Sequence, residues 1–161
     1  MAPGKSLLSF AMRHCASFLA FLLLLATLPR VFAEDIDPVR FIGLDPQAAL
    51  STLGSPQEMF AFRGADEKQD NVVFFYPDFL YLFWYRNRVW QVRFDMRFAK
   101  PVFGLSLGMT EEEVEKTCTR PLIPAGNSLY FNLDDEKYPL RVRLLFTSGV
   151  LSDVYVYRSD Y

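Results

Sequence analysis

The sequence predicts an α+β fold of two tandem repeats, each a short helical segment followed by an antiparallel β-meander, forming a continuous or adjacent sheet. Three observations carry this. GLDPQAALSTLGSP from Gly43 aligns without a gap with GMTEEEVEKTCTRP from Gly108. WYRNRVWQVRF from Trp84 aligns likewise with FTSGVLSDVYV from Phe146. Around these matches, β-branched and aromatic residues fill short runs separated by turn residues. Two collinear matches imply a duplicated unit, with the first repeat over residues 34–98 and the second over 99–161.

Residues 1–33 read as a secretory signal. Lys5, Arg13 and His14 form a basic start, an apolar run follows from Ala16 to Leu28, and Val31-Phe32-Ala33 offers a cleavage site after Ala33. An uncleaved anchor is the alternative, although the apolar run is short against the roughly 20 residues of a membrane span. Cys15 precedes the apolar run, so it is not placed for lipid attachment. The expected location is periplasmic or secreted, with no stable membrane span after cleavage.

In the first repeat Asp45 caps a short helix, Pro46 takes its first position and Gly54 lies near its end. Ala48, Ala49, Thr52 and Leu53 form its buried stripe. Strands follow at Glu58–Arg63, Asn71–Tyr76, Phe79–Tyr85 and Val89–Asp95, with a polar loop from Gly64 to Asp70. Pro77-Asp78 and Arg86-Asn87 supply the other breaks. Met96 to Ser106 joins the copies. In the second repeat Thr110 and Glu113 make a capping box, and Val114 and Cys118, four apart, face the sheet. Strands are expected at Ser128–Leu133, Pro139–Phe146 and Val150–Arg158, broken by Asp134–Lys137 and Ser148-Gly149. Asn87 and Gly149 share an aligned place, and both tolerate a positive φ.

The chain has 17 Lys and Arg against 19 Asp and Glu, and one His. Cleavage after Ala33 removes Lys5, Arg13, Arg30 and that His, so the remainder is acidic and has Cys118 as its one cysteine. An acidic balance argues against nucleic acid, which calls for a basic patch. A lone cysteine makes no internal disulfide. Without His, no triad or imidazole base can form, and no catalytic residue, cofactor or metal is expected. Cys118 aligns with Leu53 and reads as a core residue rather than a nucleophile. Asp134-Asp135-Glu136 lacks the alternating spacing of a calcium loop and reads as a solvated turn.

Gly108, Met109, Thr110, Val114 and Pro121, with Phe146, Gly149, Leu151 and Val154 downstream, resemble the β-lactamase-inhibitor-protein-like fold. The small outer-membrane assembly lipoproteins of the SmpA/OmlA (BamE) group share it. In the first copy Leu44 and Asp45 replace Met and Thr, and Asn87 replaces the turn Gly. The shared motif consists of a cap, core contacts and a turn, so the resemblance implies fold before function.

Strand alternation puts Leu80, Leu82 and Trp84 on the helix face. Tyr81, Phe83, Tyr85, Gln91 and Arg93 fall on the opposite face. Arg141, Arg143, Leu145, Asp153, Tyr155 and Tyr157 fall on its continuation in the second repeat. Two short helices are too few to cover both faces. Interleaved Tyr and Arg on an open face is the composition of a protein-binding surface. The expected partner-binding residues are Tyr81, Phe83, Tyr85, Arg93, Arg141, Arg143, Tyr155 and Tyr157. The expected function is an exported non-enzymatic protein-binding module, an inhibitor or envelope-assembly accessory with an envelope or secreted protein as partner. A periplasmic ligand-binding protein for glycan or lipid is the alternative. Packing of the same face against the other repeat, the long loops or a second subunit, as in a homodimer, is the bland competitor.

Overall fold

Eight strands form one antiparallel sheet in the order β1-β2-β3-β4-β8-β7-β6-β5. They are β1 (Glu58–Phe62), β2 (Asn71–Tyr76), β3 (Leu80–Tyr85), β4 (Arg88–Asp95), β5 (Ile123–Ala125), β6 (Ser128–Leu133), β7 (Leu140–Thr147) and β8 (Val150–Arg158). Two α-helices, α1 (Pro46–Leu53) and α2 (Glu111–Thr117), accompany them. This computed structural model describes residues 35–63, 71–135 and 137–160. The expected signal over 1–33, the Gly64–Asp70 loop and Glu136 of the acidic turn lie outside the described residues.

This sheet corrects the expectation of two tandem helix-plus-meander repeats. β4 pairs directly with β8, so after β4 the chain crosses to the far edge at β5 and returns inward through β6 and β7 to β8, instead of adding a second unit in series. One hydrophobic cluster runs from Leu82 and Phe94 through Val154 to Leu144 and Phe131. The physical reason is burial: four strands alone would expose the apolar residues that β4 and β8 bury against each other's neighbours. The aligned sequence motifs do make matching local contacts. Gly43 N–H donates to Val89 O at 2.8 Å, and Gly108 N–H donates to Leu151 O at 2.9 Å. These bonds specify how a helix entry docks on a strand; they do not specify the architecture.

The helices follow their caps. The Asp45 carboxylate accepts from Ala48 N–H, with Pro46 at the first position. Thr110 and Glu113 form the reciprocal capping box. Ala49 and Val114 are fully buried, with Leu44 and Leu53 packed beside them. Thr52 was expected in the buried stripe. It is exposed instead, and its hydroxyl donates back to Ala48 O at 2.8 Å. Cys118 is not within α2 but is its C-cap, half-buried against the core.

The strand limits shift slightly from expectation. Pro77–Phe79 is a 3₁₀ turn, so β3 begins at Leu80, with Asp78 and Phe79 both at positive φ. β7 begins at Leu140, and β5 was not expected at all. The turns before β4 and β8 have paired positive φ values, Arg86-Asn87 at 47° and 60° and Ser148-Gly149 at 53° and 81°. That is the geometry of a two-residue hairpin turn.

Among the described glycines, Gly43 alone has no room for a side chain. Its φ is 81°, and a Cβ there would lie 2.6 Å from the Tyr138 hydroxyl oxygen and 2.8 Å from its ring. Gly43→Ala should therefore destabilise the protein by about 1–3 kcal/mol through overpacking and backbone strain. A urea midpoint equal to that of the unsubstituted protein would refute this contact.

Candidate functional site

Both helices pack on one face of the sheet, and the other face is covered by its own side chains. Alternation along each strand assigns the residues. The register then sets them in rows across the sheet. Phe75, Tyr81, Arg93, Tyr155, Arg143 and Tyr130 stand opposite one another in succession across β2, β3, β4, β8, β7 and β6. A neighbouring row runs Val73, Phe83, Gln91, Tyr157 and Arg141. From Tyr81 to Tyr130 the first row is thus a ladder in which tyrosine alternates with arginine.

The rungs touch. The Arg93 guanidinium lies 5.0 Å from the Tyr81 ring centre and 5.6 Å from that of Tyr155. Arg143 lies 5.8 Å from Tyr155, and Arg141 lies 4.8 Å from Tyr130. Each is a cation–π distance. Arg86, in the β3–β4 turn, stacks at 5.2 Å on Tyr85. The alkyl stems of these arginines cover the sheet while the rings screen the cations.

The face divides into two ends by charge. At one end Asp95 and Asp153 stand directly opposite each other, both only 7% exposed. Arg93 donates from Nε to Asp153 at 2.8 Å and from Nη2 to the same oxygen at 2.5 Å. Arg97 donates to both oxygens of Asp95, and the Tyr81 hydroxyl donates to Asp95 at 2.8 Å. Burial pushes the Asp95 carboxyl up, but the hydrogen bonds from Arg97 and Tyr81 outweigh it and hold the group below its ordinary 3.8. Burial opposes the charge on Arg93 too, yet its bond to Asp153 leaves its pKa raised.

At the other end the face forms a concavity of about 930 Å³. Its floor holds Tyr155, Tyr157, Gln91 and Phe83; its walls include Tyr85, Trp90, Arg141 and Arg143. Phe62 of β1 closes one side and Tyr130 of β6 the other. Trp90 is the extra residue of a bulge in β4, and its indole N–H donates to Asn71 Oδ1 at 2.6 Å. Burial raises the phenol pKa of both Tyr155 and Tyr157.

Of the eight residues expected from sequence, six line this concavity: Phe83, Tyr85, Arg141, Arg143, Tyr155 and Tyr157. Phe83 is only 5% exposed and serves mainly as floor, in edge-to-face contact with Phe62 at 5.7 Å. Tyr81 and Arg93 belong to the carboxylate network at the opposite end. Phe62, Arg86, Trp90, Tyr130 and Arg158 also line the concavity and were not singled out from the sequence. Alternation in β6 could have found Tyr130, since Leu129 and Phe131 are core. Trp90 could not have been found that way, because the bulge breaks the alternation.

Chemically, the concavity offers stacking surfaces and N–H donors, and among the described residues no His, Cys, Asp or Glu lines it. Among the described residues no three His, Cys, Asp or Glu side chains converge as metal ligands do. No helix among them is long and apolar enough to cross a membrane.

No family model matches the chain, and no curated protein matches it. The chain is similar to several solved structures, among them the following two. One is an extracellular protein containing an SCP domain from Bacillus anthracis, 17% identical, with a TM-score of 0.48 over 83% of this chain and 50% of that one. The other is a cysteine-rich secretory protein from Staphylococcus aureus, 18% identical, with a TM-score of 0.48 over 80% of this chain and 46% of that one. This chain spans about half the length of each. The comparisons do not test the resemblance to the β-lactamase-inhibitor-like and assembly-lipoprotein fold.

The Asp95 network has a pH consequence. A carboxylate with a depressed folded-state pKa stabilises the fold fully above its unfolded value, here near 3.8, and ceases to do so as pH falls through the lower, folded value. Asp95→Asn should therefore lower stability at pH 7 and flatten the acid limb of the stability profile below pH 4. A parallel acid limb in wild type and variant would show that Asp95 contributes nothing there.

Proposed function

We propose that the protein is an exported, non-enzymatic binding module that captures a protein partner on the aromatic and arginine-rich concavity of its open sheet face. The observation that carries this reading is the concavity itself. It is wide, solvent-facing and built from Tyr, Trp and Arg, the residue types that dominate binding energy at protein interfaces. Tyr and Trp bring large contact area with few rotatable bonds, and the strands beneath hold them rigidly. Among the described residues no His, Cys, Asp or Glu lines the concavity, which supports binding over catalysis. The basic start, apolar run and Val31-Phe32-Ala33 support export.

Partner capture should be tested by crosslinking in the native extracellular or envelope fraction, followed by mass spectrometry. Tyr85→Ala and Tyr157→Ala should each weaken the captured complex by about 2 kcal/mol or more, as interface anchors do, with the melting temperature little changed. Loss of the folded protein in both variants would instead make the face a structural one. Recovery of glycan alone would favour a carbohydrate ligand. N-terminal sequencing of the exported protein should begin at Glu34; Met1 retained on protein found inside the cell would refute export.

A further inference from the structure

We infer that the concavity recognises carboxylates, and that its occupant is an acidic segment of a protein partner laid against Arg86, Arg141 and Arg143. This deepens the protein-binding reading and rests on it.

The first observation is the segregation of charge on one sheet face. Arg93 and Arg97 end on Asp153 and Asp95 at one end. Among the described residues, Arg86, Arg141 and Arg143 form no ion pair, and no acidic side chain lines the concavity around them. The second is Arg141 Nε, a buried N–H with no hydrogen-bond partner. A buried donor without an acceptor is costly, and an incoming oxygen would remove that cost. Arg143 uses Nε on Ser128 Oγ at 3.0 Å, which fixes the plane of its guanidinium.

The third observation is orientation. These guanidiniums lie over the rings of Tyr130, Tyr155 and Tyr85. Stacking occupies the face of a guanidinium and leaves its N–H edge free for bidentate pairing with a carboxylate. The tyrosine rings beside them accept aromatic or aliphatic side chains between the acids. A flat bilayer does not fit a concavity. A neutral sugar would stack on the rings but leave the arginines unpaired.

The test is an NMR titration of the purified protein with four probes. They are a capped hexapeptide alternating Glu and Tyr, its Gln-for-Glu counterpart, trigalacturonate, and phosphatidylglycerol vesicles. The acidic peptide should bind about tenfold or more tighter than the Gln peptide, with shifts centred on Arg86, Arg141 and Tyr157. Arg141→Gln and Arg143→Gln should each weaken it about fivefold or more. Arg86→Gln, in an exposed turn, should weaken it without touching the folded core. Equal affinity for the two peptides in the concavity would overturn the carboxylate inference while leaving the protein-binding reading standing. Tighter binding of trigalacturonate than of either peptide would overturn the protein occupant, and with it the protein-binding reading, while upholding carboxylate recognition. Tighter binding of vesicles than of either peptide would overturn both. Shifts confined to another surface would overturn the inference as well.

Discussion

The pairing of β4 with β8 is the constraint on which the rest of the structure depends. Along it Val92 meets Val156 and Phe94 meets Val154, all four fully buried on the helix face. On the opposite face the same two strands set Arg93 against Tyr155 and Asp95 against Asp153. Like charges directly opposite each other destabilise a strand pair. Here each acid is neutralised by its own arginine, Asp153 by Arg93 and Asp95 by Arg97. Breaking either pair would leave a buried carboxylate uncompensated beside another, which costs far more than losing a surface ion pair. The seam therefore joins two four-stranded halves through apolar contact beneath and matched charge above.

Closure of the seam determines what the two faces become. With eight strands in one sheet, only β1 and β5 are edges, and Pro124 in β5 removes a backbone donor. The helix face has α1, α2 and the buried 3₁₀ residue Phe41 to cover it. Among the described residues no helix covers the other face, and its long side chains lie across it instead. Tyrosine and arginine suit this because each has an apolar body and a polar tip. At the carboxylate end the cover is complete and hydrogen-bonded. At the far end it opens into the concavity, where the described residues supply arginines but no acidic partner for them.

The sequence made the two faces legible through strict alternation: Leu80, Leu82 and Trp84 are buried beneath the helices as expected. The capped helices were legible too, since Asp45-Pro46 and Thr110 with Glu113 act within one turn. What could not be read was anything depending on distant pairing. Arg93 and Asp153 lie 60 residues apart, and only register brings them together. The bulges at Trp90 and Ser152 each add a residue that alternation cannot anticipate. The tandem-repeat reading failed for a related reason. The matching segments encode similar local docking of Gly43 on Val89 and Gly108 on Leu151, and local similarity carries no information about which strands become neighbours.

The electrostatics of the concavity set its range of action. The protein is acidic overall, so at distances beyond the Debye length of about 8–10 Å an acidic ligand meets no attraction. Within that length it meets Arg86, Arg141 and Arg143 backed by low-dielectric aromatic walls, where each charge interacts more strongly than in open water. Attraction of this kind selects by fit more than by steering. A ligand gains only when its charges reach the guanidinium edges while its apolar parts settle on the rings. A small free anion satisfies the first condition and not the second. The rigid spacing imposed by β7 and β8 beneath Arg141, Arg143, Tyr155 and Tyr157 then makes chain geometry, and not charge alone, the basis of discrimination.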